Sequence, residues 1–297
     1  MESVLNELLR DPAITDVLIN GDGSIWVDRG AALQRMPDTL DGPAAVRRLA
    51  VRLATTAQRR LDDAMPYVDG QLPGGVRLHA VLAPIATDGA HISLRIPRRV
   101  PMTLSDLRRG GFVTEDQTRQ LRDHLAHRHA MLISGGTGTG KTTLLGALLA
   151  EVAAGERIVV VEDVSELLIA HPHVVRLQAR HRNVEGAGEI SMAELVRQAM
   201  RMRPDRLIVG EIRGAEVIDM FRALNTGHRG GCATVHANSA TDVMARLEAL
   251  GTLAGLPAPA VRTQARSAID VVVHVARVDG RRRIEQIVPW HAEADEP

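Results

Sequence analysis

The chain is 297 residues long, 45% apolar and 24% charged, with 36 acidic and 36 basic residues. That length suits one large or two ordinary domains, and the composition excludes wholesale disorder. A zero net charge lacks the basic excess of a nucleic-acid binder, and a lone cysteine, Cys232, excludes an internal disulfide.

The first hundred residues alternate short strands with one helix. Residues 14–19 and 25–27 read as strands joined by the turn signal Asn20-Gly21-Asp22-Gly23. Residues 43–60 read as a helix with Val46, Leu49, Ala50 and Leu53 on one face. Residues 76–82 and 91–96 are further strands. Together they predict a small α+β domain over 1–98 with a mostly antiparallel sheet. The prolines at 97 and 101 and the glycines at 110 and 111 then mark 99–111 as a linker or hinge. Thr114-Glu115-Asp116-Gln117 is a capping box that opens a helix running to about residue 128.

From residue 130 the rhythm changes. Residues 131–133, 158–161, 207–209 and 233–235 are short apolar runs typical of buried parallel strands. Helical stretches near 141–152, 191–201 and 215–224 separate them, the second opened by the capping box Ser191-Met192-Ala193-Glu194. This alternation predicts an open α/β sheet with helices on both faces over 112–297. Ligands of such sheets bind at the carboxyl ends of the strands. The acidic first residues do not read as a signal peptide, and no apolar run reaches the ~20 residues of a membrane span. The last residues, 291–297, read as a frayed polar tail.

One segment carries chemistry by itself. Gly135-Gly136-Thr137-Gly138-Thr139-Gly140-Lys141-Thr142, followed by Thr143, fits the phosphate-binding pattern G-x-x-x-x-G-K-[ST]. Its glycines let successive N–H groups point at phosphate oxygens, Lys141 reaches the β- and γ-phosphates, and the Thr142 hydroxyl suits Mg²⁺. An apolar strand precedes the loop. An amphipathic helix follows it, with Leu144, Leu145, Leu148 and Leu149 as its apolar face. Lys141 is the only lysine of the chain, the other basic residues being arginine. A bias that replaced every other lysine spared the one place where a flexible ammonium is needed. ATP and Mg²⁺ are the expected ligands.

Hydrolysis needs a group to orient water. Glu211 ends the apolar run 207–210, and Glu162 and Asp163 end the run 158–161. On the residues alone, each is either a site carboxylate or a solvated strand end. Glu162, Asp163 and Glu166 are candidates to hold Mg²⁺ through water. His228 and His236 bracket a third strand, as phosphate sensors or as structural histidines. Arg77 and Arg95 lie on strands of the first domain, either solvated or reaching phosphate.

The ensemble resembles the traffic ATPases of type II and type IV secretion and of type IV pili, over nearly the whole chain. Residues 135–142 look like Walker A. Glu162-Asp163-Val164-Ser165-Glu166-Leu167 looks like the acidic Asp box, residues 203–214 like Walker B, and residues 227–239 like the His box. Asp11 to Gly21, Gly75-Val76-Arg77 and Ile92 to Pro97 are similar to segments of the family's first domain. Among these ATPases the chain looks most like the CpaF-like group of tight-adherence (Flp-type) pili, with the conjugation ATPases next. The resemblance implies a RecA-like P-loop domain behind a smaller α+β domain. It implies Glu211 as general base, Glu162 near Mg²⁺, the two histidines as sensors or couplers, and Arg77 and Arg95 as fingers on the nucleotide. It further implies a homo-hexamer on the cytoplasmic face of the inner membrane. A platform protein would recruit it there, with no direct contact to nucleic acid. The tetracysteine zinc site of some relatives is missing. Rival readings are a conjugative DNA-export ATPase, a RecA-type DNA motor, for which five aromatic residues offer little base stacking, and a nucleotide-gated regulator without turnover.

Overall fold

The computed structural model describes residues 2–30, 32–97, 100–180 and 188–290. The chain divides into two units, Met1–Arg99 and Val100–Pro297. Residue 98, residue 99 of the expected hinge and the expected frayed tail lie outside the described residues.

The first unit contains α1 (Glu2–Arg10), β1 (Asp16–Ile19), β2 (Ser24–Asp28), β3 (Leu33–Thr39), α2 (Gly42–Thr56), β4 (Tyr67–Gln71), a 3₁₀ turn (Pro73–Gly75), β5 (Arg77–Val81) and β6 (His91–Arg95). The turn signal closes the β1–β2 hairpin, with the Gly23 amide donating to the Asn20 carbonyl at 2.9 Å. The six strands run in the order β3-β2-β1-β6-β5-β4, every neighbouring pair antiparallel. Alternation sends Val17, Ile19, Leu78, Ala80, Ile92 and Leu94 to one face, where α2 buries Val46, Leu49 and Ala50 against them. β3 escaped the sequence reading because its side chains are exposed almost throughout. Its pairing to β2 holds it, rather than burial.

The second unit contains α3 (Leu104–Arg109), α4 (Glu115–Ala126), β7 (Met131–Ser134), α5 (Lys141–Leu149), β8 (Ile158–Glu162), β9 (Val174–Gln178), α6 (Met192–Met200), β10 (Arg206–Ile212), α7 (Glu216–Asn225), β11 (Cys232–Val235), α8 (Asp242–Leu253), α9 (Ala258–Ala268), β12 (Val271–Val278) and β13 (Arg281–Pro289). Seven strands run in the order β13-β12-β7-β11-β10-β8-β9, parallel except for the β12–β13 pair. Apolar clusters cover both faces. One joins the sheet to α6, α7, α8 and α9, and the other joins it to α3, α4 and α5.

Three local expectations change. The stretch read as a linker holds α3, opened by a Thr103–Asp106 capping box, and Leu104 and Leu107 are buried in the second unit's core. The helix after the phosphate loop is not amphipathic. All of residues 144–149 are buried, because α5 lies between the sheet on one side and α3 and α4 on the other. At Ser191 only half of the capping box forms: its hydroxyl accepts the Glu194 amide at 3.2 Å, while the Glu194 carboxylate turns to Arg197 and Gln198.

Candidate nucleotide site

β7 ends in Ser134, and the loop 135–140 leaves it for the first turn of α5. Gly135 has φ +150°, and a Cβ there would sit 2.2 Å from the Val275 carbonyl oxygen of β12. Gly140 caps α5 at φ +99°, a left-handed conformation that glycine adopts without steric cost. The neighbouring strand and the helix entrance therefore fix the loop's two ends.

Lys141 is buried, and its ammonium donates to the Gly135 and Gly136 carbonyls, both at 2.8 Å. An ammonium has three donors, and these bonds take two. Burial pulls the lysine's pKa down, against the opposing pull of Glu211. Thr139 donates to the Gly136 carbonyl at 2.9 Å. Thr142 and Thr143 open α5, whose N-terminus presents unpaired N–H groups and a favourable dipole to an anion.

Glu211 is aimed by a break in strand pairing. Val209 pairs with Ala233 and Ile212 with Val235, so β10 carries one more residue than β11 across this interval. Such bulges re-aim a side chain. The Thr234 hydroxyl clamps this one by donating to the Gly210 carbonyl at 2.6 Å. Glu211 Oε2 accepts from the Arg213 guanidinium at 2.7 Å. His236 Nε2, just past β11, lies 2.6 Å from Glu211 Oε1, a close polar contact that misses hydrogen-bond alignment. Burial works to raise the Glu211 pKa, but Arg213, His236 and Lys141 outweigh it and hold the carboxyl below its usual range. Burial lowers the His236 pKa, and Lys141 lowers it further. Near neutral pH the pair is thus a carboxylate beside a neutral imidazole.

Glu162 ends β8 and is 4% exposed. Its Oε1 accepts the Glu166 and Leu167 amides at 3.0 and 2.9 Å, while its buried Oε2 has no hydrogen-bond partner among the described residues. Burial raises its pKa.

The parallel sheet brings the loop, Glu162, Glu211 and His236 to the carboxyl ends of β7, β8, β10 and β11. It does not bring His228 there. His228 precedes β11, at the opposite end of that strand, and its Nδ1 lies 3.2 Å from the Ala223 carbonyl of α7. In the first unit, Arg77 and Arg95 stand directly opposite each other on β5 and β6.

Sequence reasoning missed three contributors. Arg213 falls inside the segment that resembles Walker B, just past the end of β10, but nothing in that motif marks it as the partner of Glu211. His274 is 2% exposed, pairs in register with Ser134, and its Nδ1 lies 2.9 Å from the Ser134 hydroxyl directly beneath the loop. Arg282 donates to the Gly138 carbonyl at 2.9 Å. The last two lie in a hairpin far along the chain, where no motif marks them.

Residues 1–288 match the family described as type II/IV secretion system protein. A "Putative conjugal transfer protein" of Mycobacterium tuberculosis is 52% identical over 291 residues, covering 96% of this chain and 83% of that protein. Among solved structures, the VirB11 ATPase of the Brucella suis type IV secretion system, in complex with sulphate, is 26% identical with a TM-score of 0.53, covering 97% of this chain and 92% of that one. The Legionella pneumophila ATPase DotB is 19% identical with a TM-score of 0.69, covering 98% and 82%. The likeness to these structures shows the fold: a smaller α+β domain followed by a RecA-like P-loop domain.

Proposed function

Because the chain belongs to the type II/IV secretion system protein family, we propose that it is an ATP-hydrolysing motor of a secretion or pilus machine. The observation that carries this reading is the placing of Glu211, aimed by a bulge at the strand end beside the phosphate loop, bonded by Arg213 and in contact with His236. A phosphate loop alone binds nucleotide; a positioned carboxylate beside it suits turnover.

In this reading the loop amides and Lys141 hold the β- and γ-phosphates. Glu211 orients a water and accepts its proton as the water oxygen bonds the γ-phosphorus and the bond to the bridging oxygen breaks. Arg213 keeps Glu211 charged for that task, and neutral His236 offers a donor to the γ-phosphate. Arg77 and Arg95 act as arginine fingers. Their direct register on β5 and β6, which sets both side chains on one face of the sheet, supports this.

The donor set also fits Mg²⁺. Among the described residues, no cluster of three or more His, Cys, Asp or Glu side chains is arranged to hold a metal alone. A site that shares its ligands with phosphate oxygens, as magnesium commonly does, needs no such cluster. The Thr142 hydroxyl and the orphaned oxygen of Glu162, through water, would hold the ion. Once bound, it would neutralise charge developing on the phosphates.

We assign the chain to a homo-hexameric ring at the inner face of the cytoplasmic membrane, recruited by a platform protein. Among the described residues, no helix is long and apolar enough to cross a membrane. Two machines remain in view. The motif pattern points to a tight-adherence pilus. The relative's name, conjugal transfer, and the VirB11 likeness favour conjugative type IV secretion at least as much. Deleting the gene and scoring pili against DNA transfer separates the two.

Glu211→Gln tests the chemistry. It is expected to bind ATP as the wild type does while phosphate release falls by at least ~10²-fold, the scale of a lost catalytic proton acceptor. Turnover within a few-fold of wild type would contradict the role of Glu211.

A further inference from the structure

The β12–β13 hairpin touches the phosphate loop at three of its glycines. The Val275 carbonyl and Cγ2 close on Gly135. The Arg282 side chain lies against Gly140, its Cδ 3.4 Å from where a Cβ would stand, beside the Phe112 ring at 3.1 Å. Arg282 Nε donates to the Gly138 carbonyl at 2.9 Å. The hairpin is itself anchored, since the Ile284 amide donates to the Phe112 carbonyl at 3.1 Å and Ile284 is buried in the core under α5. Arg282 also faces Arg277 directly across the two strands.

Building on the nucleotide-binding reading above, we propose that Arg282 is a positioning residue that presets the phosphate loop by holding the Gly138 carbonyl outward. The only cis peptide among the described residues is Ala83–Pro84, so the Gly138–Thr139 peptide is trans. In a trans peptide the C=O and N–H point in opposite directions. Fixing the Gly138 oxygen toward Arg282 therefore turns the Thr139 N–H to the other side of the loop, away from the hairpin and available to an anion. Rotated the other way, the same peptide would present a carbonyl oxygen to phosphate and repel it. Gly138 has φ +72° and no side chain to resist that rotation. The tie to a charged donor selects one orientation before nucleotide arrives, and phosphate then binds without the cost of turning the peptide.

Three variants of the full chain separate a bond to the loop from other roles. Arg282→Met keeps the stem that packs over Gly140 and Phe112 but has no donor. Arg282→Lys keeps a donor and a charge. Arg277→Ala removes the charge that faces Arg282 across the same hairpin. Each is titrated with fluorescent ADP in the presence of Mg²⁺, beside wild type and Lys141→Ala. Arg282→Met is expected to weaken ADP binding about tenfold, the scale of one charge-assisted hydrogen bond, and to raise KM for ATP while kcat stays near wild type. Arg282→Lys should bind within about threefold of wild type, Arg277→Ala should match it, and all nucleotide-free melting temperatures should agree within about 2 °C.

Wild-type affinity in Arg282→Met would overturn the proposal alone, leaving the nucleotide reading intact. Equal losses in Arg282→Met and Arg277→Ala would overturn it in favour of a general positive field. Equal losses in the methionine and lysine variants with lowered melting temperatures would reduce Arg282 to a structural residue. If wild type bound ADP no better than Lys141→Ala, the nucleotide reading itself would fall, and this inference with it.

Discussion

Glu162 leaves one carboxylate oxygen buried without a partner among the described residues, which is a poor arrangement for stability and a reasonable one for holding a hydrated cation. Glu162→Gln should therefore raise the melting temperature of the nucleotide-free protein by about 2–4 °C, equivalent to ~1 kcal/mol at this size. Mg²⁺-dependent turnover should fall on the order of 10-fold. A lower melting temperature with unchanged turnover would contradict this account of the residue. A second expectation concerns pH. His124, His236 and His274 all have pKa values below the ordinary 6.5, burial being the first cause in each. The unfolded chain takes up protons near pH 6.5 that the native chain refuses, so their contribution to stability is fully present above that pH and is lost as pH falls below it. Glu162 opposes the trend, since its raised pKa lets the native carboxyl take up a proton before the unfolded one does. Because the histidines' ordinary 6.5 lies inside the window and the ordinary carboxylate value lies below it, the urea midpoint should fall from pH 7.5 to about pH 5.5. A flat or rising midpoint over that range would refute the balance. The buried Cys232 thiol, pushed up to about 11 by burial, stays protonated throughout.

Individual elements show what the sequence could and could not say. The loop, the two acids and His236 were legible because each sits at the end of an apolar run, and a parallel sheet gathers such ends. The bulge that aims Glu211 was not legible, since it arises from a register difference between β10 and β11. Nor were α3, β12 and β13, although all three help frame the loop. α3 hides among arginines and glycines that read as a linker, and its capping box goes unnoticed without the burial of Leu104. β12 carries a run of valines, but only pairing shows that it lies beside β7. Arg206 gives the far edge of the same sheet its own test. This guanidinium, 3% exposed, donates to Glu156 at 2.8 and 3.3 Å and to the Leu125 carbonyl at 3.0 Å, where β10 begins. Arg206→Met should destabilise by about 3 kcal/mol, because it removes a buried guanidinium and strips the half-buried Glu156 carboxylate of its main partner. Arg128, 3.1 Å from Glu156, softens the loss. Nucleotide affinity should not change, since the site is at the other end of the strands; equal weakening of ADP binding would show that the two ends are coupled.

At the scale of the whole molecule, the two units divide the labour by type of sheet. The parallel sheet gathers strand ends into a phosphate site. The antiparallel sheet sets Arg77 opposite Arg95, the pair proposed above as fingers on the nucleotide. The homo-hexamer proposed above would join these roles to a machine, and that proposal predicts activity that depends on assembly. The most direct test is Mg²⁺-dependent phosphate release from ATP by the wild type, measured against protein concentration alongside sedimentation. Lys141→Ala, Arg77→Ala and Arg95→Ala are run in parallel. The account predicts turnover per chain that rises as rings form, and at least ~10-fold losses in all three variants. Turnover independent of assembly, or full activity in the two arginine variants, would contradict it.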